Sequence, residues 1–110
     1  MNEIRKEVDI VSKPLTFDQA KEMHWKTLEQ YVPVVSRVHG DNHPEFHEVR
    51  QLFDAINEKI KQAGPNKPDL NEEFAKLRDI TRDYTVPGDV CESYEAVYVM
   101  LAEIDKAYNG

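Results

Sequence analysis

Residues 46–63 read FHEVRQLFDAINEKIKQA, and this stretch decides the fold. Its apolar side chains recur every three or four residues, at Phe46, Val49, Phe53, Ile56, Ile60 and Ala63. That spacing places them on one face of an amphipathic helix. Pro44 lies in the first turn, where a helix does not need its missing amide hydrogen, and Gly64-Pro65 ends the helix.

Three further helices with the same kind of apolar stripe are predicted, one before this helix in the sequence and two after it. Capping-box spacing marks their starts, at Thr16 with Gln19, at Asp69 with Glu72 and at Asp89 with Glu92. The stripes are Phe17, Ala20, His24, Leu28, Tyr31, Val35 and Val38; then Leu70, Phe74, Leu77, Thr81 and Tyr84; then Tyr94, Val97, Leu101, Ile104 and Tyr108.

The breaks between the stripes are short. Within the first helix Pro33 predicts a kink, and Gly40 is expected to end that helix in a left-handed conformation. Val86-Pro87-Gly88 ends the third helix. We therefore predict an all-α protein: an up-and-down antiparallel four-helix bundle over residues 16–110, preceded by an extended N-terminal arm over residues 1–15.

Composition narrows the classes of function. The chain has 110 residues and a net charge of −7, which fits one small acidic domain. Its Lys and Arg are scattered among acids, so we expect no nucleic-acid partner, and no stretch is apolar enough to span a membrane. The single cysteine permits no internal disulfide and the N-terminus has no secretory signal, which together favour the cytoplasm.

Four histidines are the candidate metal ligands: His24, His39, His43 and His47. His24 lies in an apolar stripe, where a core or boundary imidazole is the simpler interpretation. The other three are spaced by four residues, but Gly40 and Pro44 interrupt helical geometry between them. A loop site of these three with Asp41 stays open, and it would bind zinc or nickel adventitiously more readily than it would support redox chemistry.

Cys91 is the candidate reactive thiol. It lies near the start of the fourth helix, where the helix dipole favours a thiolate. Asp89 and Glu92 oppose that effect, and no histidine is near in sequence. A small buried thiol and a thiol-based sensor are the two alternatives.

Two segments resemble a known family. They are Tyr31–Gly40, reading YVPVVSRVHG and followed by His43-Pro44-Glu45, and Tyr84–Cys91, reading YTVPGDVC and followed by Tyr94 and Val97-Tyr98. Both are similar to stretches of the iron–sulfur cluster repair di-iron proteins of the hemerythrin-like group, over roughly residues 18–108. The resemblance implies a hemerythrin-like bundle and, in the family itself, a di-iron centre linked to nitrosative or oxidative stress.

The family's metal ligands transfer poorly to this sequence. His39 matches a histidine of the family pattern, but the resemblance places the first-helix ligand at Asp18 and the second-helix pair near Ala63 and Lys67. The family's last ligand pair would fall beyond Gly110. We therefore expect a non-enzymatic relative without a cofactor, acting through a protein partner or a homodimer. The alternative is a protein that binds iron or zinc and serves iron–sulfur repair or the stress response.

Overall fold

The computed structural model describes residues 15–109, and this part of the chain folds into four helices without a β-strand. They are α1 (Phe17–His39), α2 (Glu45–Ala63), α3 (Asn71–Ile80) and α4 (Glu92–Asn109). The predicted all-α bundle is confirmed. Of the predicted N-terminal arm, only Leu15 belongs to the described residues. No helix in residues 15–109 has both the length and the apolarity to cross a bilayer.

Neighbouring helices run antiparallel. The start of α1 packs on the end of α4, with the Phe17 and Tyr108 ring centroids 5.4 Å apart, and the end of α1 packs on the start of α4 through His39 and Tyr94. Helix α2 lies on the other side of α1, where the rings of Trp25 and Phe53 are 4.6 Å apart. Helix α3 packs against α2.

The core consists mainly of the side chains that the stripes of α2 and α4 predicted. All five stripe residues of α4 are buried, as are the first four of α2, whereas Ile60 and Ala63 are partly exposed. Each fully buried large apolar side chain stabilises the fold by roughly 1.5–3 kcal/mol.

The stripe of α1 was predicted incorrectly at two positions. Tyr31 and Val38 are exposed, whereas Val32 and Ser36 are buried. A step of three residues turns a helix by about 300°, which leaves Tyr31 and Val38 about 60° away from the buried Leu28 and Val35 respectively. The buried Val32 and Ser36 lie about 40° and 80° to the other side of Leu28, so the core side of this half of α1 is turned away from Tyr31 and Val38.

The N-terminal cap of α1 forms as predicted. The C-terminal end of α1 has a different conformation from the one predicted. Thr16 Oγ1 accepts a hydrogen bond from the Gln19 backbone, and Gln19 Oε1 accepts one from the Thr16 backbone. Gly40 is right-handed, with φ −60°, so the left-handed ending is wrong. Glycine is required there for space, because a Cβ would overlap the His47 ring and the Ser36 carbonyl oxygen.

Helix α3 ends before its predicted stripe does. It ends at Ile80, and Arg82, Asp83 and Tyr84 then adopt φ values of 52°, 59° and 62°. Three successive non-glycine residues in the left-handed region cost about 1–2 kcal/mol each. Hydrogen bonds compensate: Thr81 Oγ1 accepts from the Tyr84 backbone, and the Tyr84 hydroxyl donates to Asp105.

Two of the predicted capping boxes do not form. Asp69 accepts a hydrogen bond from the Asn71 backbone at 3.2 Å, but Leu70 occupies the N-cap position of α3. Asp89 lies outside α4, which begins at Glu92, and its carboxylate binds His43 instead. The competing tertiary partner therefore explains the missing cap at Asp89.

Candidate functional site

The candidate site lies at the end of the bundle that carries residues 40–44 and 81–91, which we call the loop end. The first of these connections joins α1 to α2, and the second joins α3 to α4. The antiparallel topology predicts that both connections lie at the same end of the bundle. Contacts of His39 with Cys91 and of His43 with Asp89 confirm that they meet.

His39 and Cys91 form a pair that the sequence did not reveal. Nε2 of His39 lies 3.1 Å from Sγ of Cys91, although 52 residues separate them. Cys91 is exposed, so the prediction of a buried thiol is wrong. An imidazole at this distance is placed to accept the thiol proton, as in nucleophilic enzymes. Such enzymes add a third group that orients the base. Within residues 15–109 His39 makes no second side-chain hydrogen bond, so the geometry provides a pair and not a triad.

His43 joins the two connections through a pair of carboxylates. Its Nδ1 donates to Glu45 and its Nε2 donates to Asp89, both at 3.0 Å. Both ring nitrogens donate only when the imidazole is protonated. Burial by itself lowers the pKa of His43, but the hydrogen bonds to Glu45 and Asp89 and their negative charges outweigh it. The pKa of His43 therefore lies above its ordinary value of 6.5.

We expect His43 to make the stability of the loop end depend on pH. A raised pKa in the folded chain means that the stabilisation is fully present below the unfolded value, about 6.5, and is lost as the pH rises through the folded value. The His43→Gln variant should therefore lose stability relative to the natural chain mainly at acidic pH. Urea unfolding of both chains across pH 5–9 measures this, and a difference that grows with pH contradicts it.

Two buried tyrosines extend this network into the core. The Tyr94 hydroxyl donates to Glu45 Oε2 at 3.4 Å and lies 3.1 Å from the hydroxyl of Tyr98. Burial, with the neighbouring hydroxyl and carboxylate adding to it, raises the pKa of Tyr94. Burial likewise raises the pKa of Tyr98. Both phenols therefore stay protonated at physiological pH, and they serve as hydrogen-bonding groups.

A pocket of about 420 Å³ opens beside this network. Its lining includes His43, Glu45, Tyr98, Thr85 and Arg82, the first residue of the left-handed turn. Strained backbone of this kind is found preferentially at binding sites. One sequence signal could have indicated this turn. It is the segment Asp83-Tyr84-Thr85, which lies between a helix and Pro87.

Of the other two candidate ligands, His24 lies away from the loop end, whereas the His47 ring lies beside Gly40 within it. His24 is in the middle of α1, where its Nε2 lies 2.5 Å from Glu103 of α4. His47 bonds Ser36 Oγ through Nδ1 at 3.1 Å. Within residues 15–109 no three His, Cys, Asp or Glu side chains are grouped so that they could hold one metal ion. The residues present therefore do not fit the di-iron centre that the resemblance implies.

A second feature is an exposed apolar stripe on α1. Met23 is 59% exposed, Val34 43% and Val38 61%, and Tyr31 is exposed between them. At 100° per residue these side chains fall within an arc of about 80°, on the side of α1 that faces α4. Val99, on the outer side of α4, is also exposed. We call this outer surface of the two helices the α1/α4 face.

Charges flank the stripe asymmetrically. Lys26 and Arg37, eleven residues apart and hence on one side of α1, are exposed along its outer edge. On α4 the exposed residues around Val99 are mainly acidic; they are Glu92, Glu95, Glu103, which contacts His24 at the seam with α1, and Lys106. The α1/α4 face therefore has a basic edge and an apolar stripe on α1, and a mainly acidic surface on α4.

No model of a known protein family matches the chain, and no solved structure matches it.

Proposed function

We propose that this chain is a non-enzymatic protein-interaction module that binds its partner through the α1/α4 face. It is a cytoplasmic bundle of the hemerythrin-like kind, related to the iron–sulfur cluster repair proteins but depleted in metal ligands. The observation that carries the proposal is the exposed apolar stripe of Met23, Tyr31, Val34 and Val38. Contiguous exposed apolar surface with a polar rim marks interaction sites.

The face also defines the chemistry of the partner. An apolar helical surface would cover the stripe, and it would need acidic groups opposite Lys26 and Arg37 and basic groups opposite the glutamates of α4. A folded protein with paired helices supplies such a surface. Nucleic acid does not, because the glutamates of α4 would repel its phosphates.

The arrangement of the histidines supports a role without metal. Each has a protein partner: Glu103 for His24, Cys91 for His39, two carboxylates for His43 and Ser36 for His47. A metal would have to displace these partners and gather donors from separate places. Binding that requires such rearrangement loses the free energy of the displaced hydrogen bonds.

Metal analysis of untagged protein tests the proposal against its alternative, an iron- or zinc-binding protein. We expect well below one metal ion per chain after purification and after anaerobic incubation with ferrous iron or with zinc. Two irons per chain with a ferric–oxo absorption band would overturn the proposal. Stoichiometric zinc that is lost in the His39→Gln variant would also overturn it, with His24→Gln as the matched control.

A further inference from the structure

We propose that the pocket at the loop end binds a small organic carboxylate, which Arg82 and the hydroxyl of Tyr98 hold. Its volume of about 420 Å³ lies in the range of small-molecule sites. None of its lining residues belongs to the exposed stripe of the α1/α4 face. The pocket therefore adds a ligand site to the proposed function and does not depend on it.

Arg82 supplies the positive charge of this pocket. Its side chain is exposed, and within residues 15–109 it forms no ion pair. The acids nearest to it in sequence, Asp79 and Asp83, line other pockets. Thr85 Oγ1 donates to the Arg82 carbonyl oxygen at 2.6 Å and helps to fix the backbone of the turn. A guanidinium group binds a carboxylate through two parallel hydrogen bonds, so Arg82 favours this kind of anion.

The one carboxylate in the lining is already compensated. Glu45 would repel an anion, but the protonated ring of His43 donates to it at 3.0 Å. Asp89 binds the other ring nitrogen, does not line the pocket, and has a side chain that is 72% exposed to water. The charge of Arg82 is therefore the one in the lining without an opposite charge beside it.

Tyr98 supplies a donor from inside the bundle. It is only 1% exposed and lines the pocket, and its hydroxyl lies 3.1 Å from that of Tyr94. Either tyrosine can donate to the other. When Tyr94 donates to Tyr98, Tyr98 is able to donate to a ligand, and the hydrogen bond given up is the long one of 3.4 Å from Tyr94 to Glu45. A charged acceptor makes this exchange favourable, because hydrogen bonds to ionised groups are stronger than those between neutral groups.

The remaining wall of the pocket indicates what else the ligand carries. Ile80 and Pro87 line it and are partly buried. An apolar group beside the carboxylate would cover them and leave water on binding. The favoured ligand is therefore an organic acid with a small ring or chain, whereas inorganic phosphate would leave this wall wet.

An NMR titration of the full chain with benzoate tests the pocket. Backbone amide shifts of residues 80–87 should change and saturate, with a dissociation constant of about 1 mM or below. Benzamide, which has the same shape without the charge, should bind at least about tenfold more weakly, and so should inorganic phosphate. No binding of benzoate, or equal binding of benzamide or of phosphate, overturns the proposal without any variant.

A further probe separates a free acid from the carboxylate of a protein side chain. N-acetylglutamate N-methylamide presents its carboxylate as a protein does, but its polar amides would face Ile80 and Pro87. We expect it to bind at least about tenfold more weakly than benzoate, because those amides would lose hydrogen bonds to water. Binding as tight as that of benzoate overturns the assignment to a free acid.

Variants test the two residues that hold the ligand. Arg82→Gln removes the charge and should weaken benzoate binding by about tenfold or more, whereas Arg82→Lys should keep most of it. Arg50→Gln makes the same change on an exposed part of α2 and should have no effect. Tyr98→Phe keeps the ring and should weaken binding by about fivefold. Far-UV circular dichroism checks that each variant folds, and undiminished binding by folded Arg82→Gln overturns the proposal.

Discussion

Replacing Arg78 with methionine is expected to lower the free energy of unfolding by about 3 kcal/mol. Arg78 Nη1 donates to both carboxylate oxygens of Asp105, at 2.7 and 2.9 Å. Asp105 is only 4% exposed, so the substitution leaves a buried negative charge without its cation. Thermal or urea unfolding measures the loss. The variant should also loosen the left-handed turn, because Tyr84 donates to the same carboxylate.

A second basic residue of α3 provides the control. Lys76 pairs with Glu72 at 3.2 Å, but both side chains are mostly exposed. Lys76→Met should therefore cost no more than about 0.5 kcal/mol. The double variant Arg78→Met/Asp105→Asn should be more stable than the sum of the two single changes predicts, since it removes the unpaired charge. Equal effects of Arg78→Met and Lys76→Met contradict this account of Asp105.

Replacing Tyr94 with alanine is expected to cost about 3–5 kcal/mol. Tyr94 is fully buried, and its ring contacts those of His39, His43, Phe46 and Tyr98. The change removes these contacts together and leaves a cavity under the loop end. We also expect the contact between His39 and Cys91 to weaken. The rate at which Cys91 is alkylated should therefore change.

Tyr94→Phe separates packing from hydrogen bonding. It keeps the ring but removes the hydroxyl that lies between Glu45 and Tyr98, at an expected cost of about 1 kcal/mol. Tyr31→Ala, on the exposed side of α1, should change stability by less than about 0.5 kcal/mol. If Tyr94→Ala costs as little as Tyr31→Ala, the loop end does not depend on this ring.

The fold was predictable where apolar spacing was regular. Helices α2 and α4 alternate steps of three and four residues, and their stripes predicted the core well. In α1 Tyr31 and Val38 were counted as part of the same stripe, although the core side of this half of the helix is turned toward Val32 and Ser36, on the other side of Leu28. Those two residues belong to the exposed stripe instead. An apolar residue beside the core stripe is thus the signal for the α1/α4 face.

The loop end was predictable only as a meeting place of two connections. Its individual contacts depend on which distant side chains come together, as His39 does with Cys91 and His43 with Asp89. Capping preference alone predicted that Asp89 caps the start of α4, whereas in the structure its carboxylate accepts a hydrogen bond from His43. The left-handed turn after α3 was not foreseen either, because its local cost is offset by the distant Asp105.

An NMR titration of the full chain with zinc, and anaerobically with ferrous iron, tests most directly the central claim of a role without metal. If the chain acts without a metal, backbone amide shifts at residues 39–47 and 89–91 should stay constant up to several metal ions per chain. Amides on the exposed side of α2, such as that of Glu58, serve as the reference. Shifts at the loop end that change and saturate at one or two ions per chain contradict the claim.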